Sequence, residues 1–275
     1  MKKLAISISG QTRHYNKTCD EFHDDLHKVF GNHFTYDLYG HTWDNCEHSR
    51  PINPKQRALF KSFHMTSNLD IWNAWVKYDI FARTPFRRTW NDSPEWISYI
   101  DGSGHGITDF IKQRSIGAWA QIWSFNESLK YIDINQYDGL VRWRWDNGVT
   151  KNPHELECAI DTIYDYFRDD KTYTYTGNAE CLSMTPQLTT RYTMQDTIMV
   201  FNKQGLAKVK RPDFLNTLEV CTYDNNEQKH GPSSHELWRI YLKSCSELIV
   251  VAGFPNIRTS LSIGKHIKEN KQWDI

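Results

Sequence analysis

The sequence has no apolar run long enough to cross a bilayer, no Cys-x-x-Cys pair, no excess of either charge and no Gly-, Ser- or Pro-rich linker. Each absence removes a class. A membrane-spanning helix needs about 20 mostly apolar residues, and no stretch approaches that. The opening Met1-Lys2-Lys3 is followed by too brief an apolar run for a signal peptide, so it reads as the approach to a first strand. The six cysteines (Cys19, Cys46, Cys158, Cys181, Cys221, Cys245) are widely scattered, which argues against a disulfide scaffold and for free thiols in a reducing cytoplasm. Lys plus Arg equals Asp plus Glu, 33 against 33; no global field draws the chain to nucleic acid or membrane, and any contact with a polyanion has to be local. With no linker and no internal repeat, the 275 residues read as one domain with ample length for a core.

Aromatic residues are abundant instead: 11 Trp, 14 Tyr and 13 Phe. They can fill a core or present stacking surfaces to sugars and bases, and composition does not separate the two uses.

Strand-like and helix-like stretches alternate. Leu4 to Ser9 reads as a buried strand running into Gly10-Gln11-Thr12-Arg13, where Gly admits close backbone approach and Arg can neutralise phosphate. Thr18-x-x-Glu21 is a capping-box pattern, followed at helical spacing by Phe22, Leu26, Val29 and Phe30. Phe34 to Gly40 reads as a second strand, closed by His41-Thr42-Trp43-Asp44. His41, Cys46 and His48 match no usual structural-zinc spacing. From about 51 to 106 the pattern loosens into an irregular insertion, with Lys55 to Phe63 helix-like and Trp75 to Phe81 strand-like. Asp109 can cap a long helix ending near Ile132 and carrying Arg114. Pro153 opens a helix through Phe167. Thr172 to Thr176, Thr197 to Phe201 and Leu248 to Ala252 read as strands, Lys203 to Arg211 as a short helix, and Ser233-x-x-Glu236 as the start of another. The tail after Gly253 shows little pattern. The alternation implies an α/β domain around a mostly parallel sheet.

The stretch Tyr137-Asp-Gly-Leu-Val-Arg-Trp-Arg-Trp-Asp-Asn-Gly148 is the most informative. Val141, Trp143 and Trp145 fall on one face of a strand, and Arg142, Arg144 and Asp146 on the other. If Asn147-Gly148 ends the strand, Asp146 sits at its carboxyl end, where open α/β sheets place their ligands. The alternative is a hairpin turned at Asn-Gly, with the Arg and Asp side chains paired on a solvated face. Arg83, Arg87 and Arg88 beside Phe86 and Trp90 have the composition of a phosphate-tracking loop, or of a surface loop whose arginines pair with Asp79 and Asp92.

Ile8-Ser-Gly-Gln-Thr-Arg13, His41-Thr-Trp-Asp44 and Tyr137 to Asp146, in that order, resemble the nucleotide-sugar-dependent glycosyltransferases of GT-A-like (Rossmann-like) fold. A looser likeness continues through Gln195-Asp196 and Ser234-His-Glu-Leu-Trp238. The resemblance implies a UDP-sugar donor seated by Gly10, Gln11, Thr12, Arg13, His41, Thr42, Trp43, Asp44, Arg114, Arg142, Arg144 and Asp146. It implies a divalent metal, Mn or Mg, at Asp146 with His235. Arg144 stands where the usual Asp-x-Asp motif has its first Asp, so arginine would supply part of the metal's charge. Asp196 and Glu236 are the candidate bases for an inverting reaction, and each has a plain structural reading as a strand-edge or capping residue. In size, in lacking a membrane element and in the loop carrying Arg83, Arg87, Arg88 and Trp90, the chain is similar to phage DNA glycosyltransferases. That likeness implies double-stranded DNA with hydroxymethylated cytosine as acceptor, arabinose or glucose as the sugar, and the host cytoplasm as location. A transferase building a lipopolysaccharide or capsular glycan, and a non-catalytic sugar- or nucleic-acid-binding module, are the alternatives.

Overall fold

The computed structural model of the chain describes residues 1–12, 15–43, 52–67, 120–145, 147–149, 152–167, 181–185, 198–209, 249–253 and 258–260, together with Trp238 and Tyr241. The elements in chain order are β1 (Lys2–Ser9), α1 (Tyr15–Phe30), β2 (Phe34–Trp43), α2 (Pro54–Arg57) and β3 (Ser62–Thr66). After them come α3 (residues 120–129), a 3₁₀ turn (Ile134–Gln136), β4 (Gly139–Trp143), β5 (Asn147–Val149) and α4 (Pro153–Phe167). The last are β6 (Cys181–Thr185), β7 (Ile198–Asn202), α5 (Lys203–Val209), β8 (Ile249–Gly253) and β9 (Arg258–Ser260).

Seven strands form one sheet in the order β3-β2-β1-β4-β7-β6-β8, and only β7 runs against its neighbours. The chain is therefore α/β with a mostly parallel central sheet, as the alternation of elements implied. From β1 the chain goes to β2 and β3 on one side and later to β4 on the other. That reversal makes the carboxyl ends of β1 and β4 a topological switch point, the place where open α/β sheets leave a crevice.

Strand β1 is central and buried on both faces, which its near-continuous Leu4-Ala-Ile-Ser-Ile-Ser9 run permits. Leu4, Ile6 and Ile8 join Val141, Trp143, Phe34 and Leu38 in a core covered by Phe22, Leu26, Val29 and Phe30 of α1 and by Ala159, Ile163 and Phe167 of α4. The opposite face is more polar. Ser7 Oγ meets Ser128 Oγ of α3 at 2.5 Å, beside an aromatic group in which Phe125 stacks on Phe201 and meets Trp238 and Tyr241 edge-on.

Several boundaries differ from the sequence reading. Helix α1 begins at Tyr15, and Thr18 marks a kink (φ −112°, ψ 15°) inside it, not its start. Strand β2 continues through His41, Thr42 and Trp43, because pairing with β1 to His41 and with β3 to Trp43 keeps its ladder occupied. Lys55 to Phe63 is not one helix: Asn53 and Gln56 form a capping box around the single turn α2, and the chain then extends as β3 to pair with β2. Pairing along an open sheet edge outweighs the weak propensity of a nine-residue stretch. Asn147-Gly148 turns no hairpin; it opens β5, which pairs with β9 in a separate two-stranded sheet. Trp75–Phe81 and Thr172–Thr176 lie outside the described residues.

At the amino end of the sheet, Asp37 accepts from Lys61 at 2.8 Å and from the Tyr137 hydroxyl at 2.6 Å, with Lys3 at 2.9 Å. Tyr39 and Lys61 both reach the Tyr137 oxygen, at 2.7 and 2.8 Å. Partial burial pushes the Asp37 carboxyl up, but the bonds from Lys61, Tyr137 and Lys3 outweigh it and hold the pKa at about 2.

Candidate functional site

Strand β1 ends at Ser9, and Gly10 follows with φ +112°. A Cβ there would meet nothing within 4 Å, so the backbone conformation and not lack of space calls for glycine. The Gly10 N–H donates to the His41 carbonyl at 3.2 Å and to Ser124 Oγ at 3.0 Å. Two residues on, the buried Thr12 accepts from the Tyr15 N–H at 2.9 Å where α1 begins. The loop 10–12 is thus tied at both ends, with Gln11 half-buried between them.

His41 is buried near the end of β2. Its Nδ1 lies 2.7 Å from Ser124 Oγ, its ring stands edge-on to Trp123, and its carbonyl also accepts from Trp145 Nε1 at 3.3 Å. Burial, with smaller contributions from His64 and Lys130, pulls the imidazole pKa down to about 3, so the ring is neutral at physiological pH. Thr42 and Trp43, next along the strand, are buried.

Beyond β4, Trp145 sits in an aromatic cage, with ring centroids 4.8 Å from Tyr15, 5.4 Å from Phe60, 6.0 Å from Phe63 and 6.3 Å from Phe22. Gly40 lets β2 pass this cage, since a Cβ there would come within 2.5 Å of the Phe63 ring. Further on, the Val149 N–H donates to the buried Asp25 carboxylate of α1 at 3.1 Å, and Lys28 holds the other oxygen at 3.0 Å. The chain is therefore anchored on both sides of position 146. The two arginines part company. Arg142 is fully buried, with Nη2 donating to Gln121 Oε1 at 3.3 Å and its guanidinium 4.1 Å from the Trp238 ring centre, a desolvated cation on an aromatic face. Arg144 is half-buried just past the end of the strand.

Four buried side-chain atoms at this end have no hydrogen-bond partner among the described residues: Ser9 Oγ, His41 Nε2, Thr42 Oγ1 and Thr66 Oγ1. They belong to the last residues of β1, β2 and β3, three strands that lie side by side.

The structure thus gathers Gly10, Gln11, Thr12, His41, Thr42, Trp43 and Arg144 at the carboxyl end of the sheet, and seats Arg142 in the interior. Arg13, Asp44, Arg83, Arg87, Arg88, Trp90, Arg114, Asp146, Asp196, His235 and Glu236 lie outside the described residues. Among the described residues no three His, Cys, Asp or Glu side chains gather as a metal-binding set. No described helix is long and apolar enough to cross a membrane. Sequence reasoning missed Ser124 and Asp25. Gln121, Ser124 and Ser128, spaced three and four apart, were the available sign of a polar stripe on α3.

No protein-family model matches the chain, and no curated protein matches it in sequence. Among solved structures it is similar to residues 1–349 of S. aureus TarS, with 12% identity and a TM-score of 0.38 over 92% of this chain and 58% of that one. It is also similar to the apo form of mouse xyloside xylosyltransferase 1, with 10% identity and a TM-score of 0.31 over 91% of this chain and 84% of that one. The chain thus spans somewhat over half the length of the TarS fragment.

Proposed function

We propose that the chain is a glycosyltransferase that takes a nucleotide-sugar donor at the carboxyl end of its central sheet. The observation that carries this reading is the group of buried polar atoms on β1, β2 and β3 that find no partner among the described residues, beside a glycine-turned loop at the switch point. A buried polar atom without a partner costs about 1–3 kcal/mol, and a ligand's polar groups would offset that cost. The sequence blocks that resemble glycosyltransferases, Ile8 to Arg13, His41 to Asp44 and Tyr137 to Asp146, are the ones that lead to this end.

In the proposed reaction an acceptor oxygen attacks the anomeric carbon, the bond from that carbon to the diphosphate oxygen breaks, and the electron pair leaves with the nucleoside diphosphate. Arg13 and Arg144 stabilise the leaving charge. His41, being neutral, offers the donor a hydrogen bond and not a charge. Asp196 or Glu236 takes the acceptor's proton if the reaction inverts. A divalent ion held by Asp146 and His235 would add charge stabilisation at the diphosphate.

UDP-glucose and UDP-arabinose are the proposed donors, and hydroxymethylated cytosine in duplex DNA the proposed acceptor. Arg83, Arg87, Arg88 and Trp90 support that acceptor as a local basic and aromatic patch in a chain of balanced charge. The test is UDP release from each donor with Mn or Mg, first alone and then with hydroxymethylated DNA or an isolated surface glycan. Release that is lost in Asp146→Ala supports the transferase. Transfer to the glycan and not to DNA would replace the acceptor, and binding without release or transfer would make the chain a non-catalytic module.

A further inference from the structure

Ser124 has no part in the sequence motifs, yet its hydroxyl lies where loop 10–12, β2 and α3 meet. Its Oγ accepts the Gly10 N–H at 3.0 Å, lies 2.7 Å from His41 Nδ1 and 3.4 Å from the His41 carbonyl. A hydroxyl has one proton and two lone pairs. With Nδ1 unprotonated, Oγ donates to Nδ1. With Nδ1 protonated, the ring donates to Oγ, and Oγ turns its proton toward the carbonyl. In both arrangements the Gly10 N–H keeps an acceptor, so the contact does not depend on the tautomer. The same amide belongs to a residue whose positive φ points the loop away from the line of β1. Two hydrogen bonds in the first arrangement, or three in the second, together with the Gly10 N–H bond to the His41 carbonyl at 3.2 Å, therefore fix the angle at which the loop leaves the sheet.

Resting on the donor site proposed above, we infer that Ser124 is a positioning residue for the donor: its hydroxyl sets the conformation of loop 10–12 and hence the seat of the diphosphate. A built-in control lies one turn along the same helix. Ser128 is equally buried, pairs with Ser7 at 2.5 Å and donates to the Phe125 carbonyl, so its hydroxyl bonds go to β1 and its own helix and not to loop 10–12 or His41. Loss of either hydroxyl orphans one polar partner, so Ser124→Ala and Ser128→Ala should lose similar thermal stability, while only the first should loosen the loop.

The experiment measures UDP affinity by calorimetry and the hydrogen-exchange rate of the Gly10 amide by NMR in both variants and in Ser124→Thr. Ser124→Ala is expected to raise the UDP Kd and the Gly10 exchange rate each about tenfold, the effect of one lost hydrogen bond. Ser128→Ala should stay within about twofold in both, and Ser124→Thr, which restores a hydroxyl, within about threefold. If Ser124→Ala does not fold, Ser124→Cys keeps the volume with a weaker acceptor and is read the same way. Equal effects of Ser124→Ala and Ser128→Ala, or unchanged Gly10 exchange in Ser124→Ala, would overturn the inference. Failure of the native protein to bind UDP would remove the donor reading instead, and Gly10 exchange would still decide whether Ser124 sets the loop.

Discussion

At the amino end of the sheet, Asp37, Tyr39, Lys61, Tyr137 and Lys3 close on one another, and the Tyr137 oxygen gives its proton to Asp37 while accepting from Tyr39 and Lys61. At the carboxyl end, Ser9, His41, Thr42 and Thr66 each keep a buried polar atom without a partner among the described residues. The same strands, β1 to β3, supply both ends. Unpaired buried polar groups destabilise, so the open atoms at the carboxyl end call for partners from beyond the described residues, a bound ligand among them. On the proposed reading, one end closes the fold and the other receives the donor.

The sharpest way to break this contrast is through Trp145, which holds the carboxyl end together. Trp145→Ala should cost about 3–5 kcal/mol in urea denaturation, and a loss under about 1 kcal/mol would mean the aromatic cage does not hold that segment. Next comes Arg144→Ala, which should lower donor turnover about 100-fold through lost charge stabilisation while the melting temperature stays within about 2 °C. A proportionate loss of both would make Arg144 a folding residue. At the opposite end, Asp37→Asn should cost about 1 kcal/mol, as partly exposed ion pairs do, and leave turnover unchanged.

The two ends also differ in pH response. His41 has its folded pKa at about 3, below its ordinary 6.5, so the unfolded chain takes up a proton before the folded one does. Stability from His41 is complete above pH 6.5 and falls by about 1.4 kcal/mol per unit as pH drops toward 3. His23 and His64, also held down by burial, add in the same direction. Asp37, at about 2 against 3.8, contributes only above its ordinary value and loses that contribution as pH falls from about 4 to 2. His41→Gln should flatten the branch between pH 6.5 and 4, and Asp37→Asn the branch below it, in denaturation curves taken across that range.

Much of the layout was legible because it depends on local pattern. The alternation in Val141-Arg-Trp-Arg-Trp145 assigned Trp143 and Trp145 to the core, where both are buried, and the apolar spacing of Phe22, Leu26, Val29 and Phe30 gave α1 its buried face. What stayed hidden depends on partners far away in sequence. The seat of Arg142 against Trp238 and Gln121 has no local sign, because both partners lie far from it in sequence. Strand β9 has no pattern of its own, since its pairing with β5 joins residues more than 100 positions apart. Ser124 looks like a weak helix residue until the strand ends are brought beneath it.

Hydrogen–deuterium exchange with and without UDP tests the contrast most directly, because one experiment reports on both ends of the sheet. Exchange at residues 9–12, 41–43 and 143–149 is expected to slow on UDP binding, with the amides around Asp37, Lys61 and Tyr137 unchanged. Protection at the amino end alone, or none at the carboxyl end when UDP is bound, would contradict the contrast.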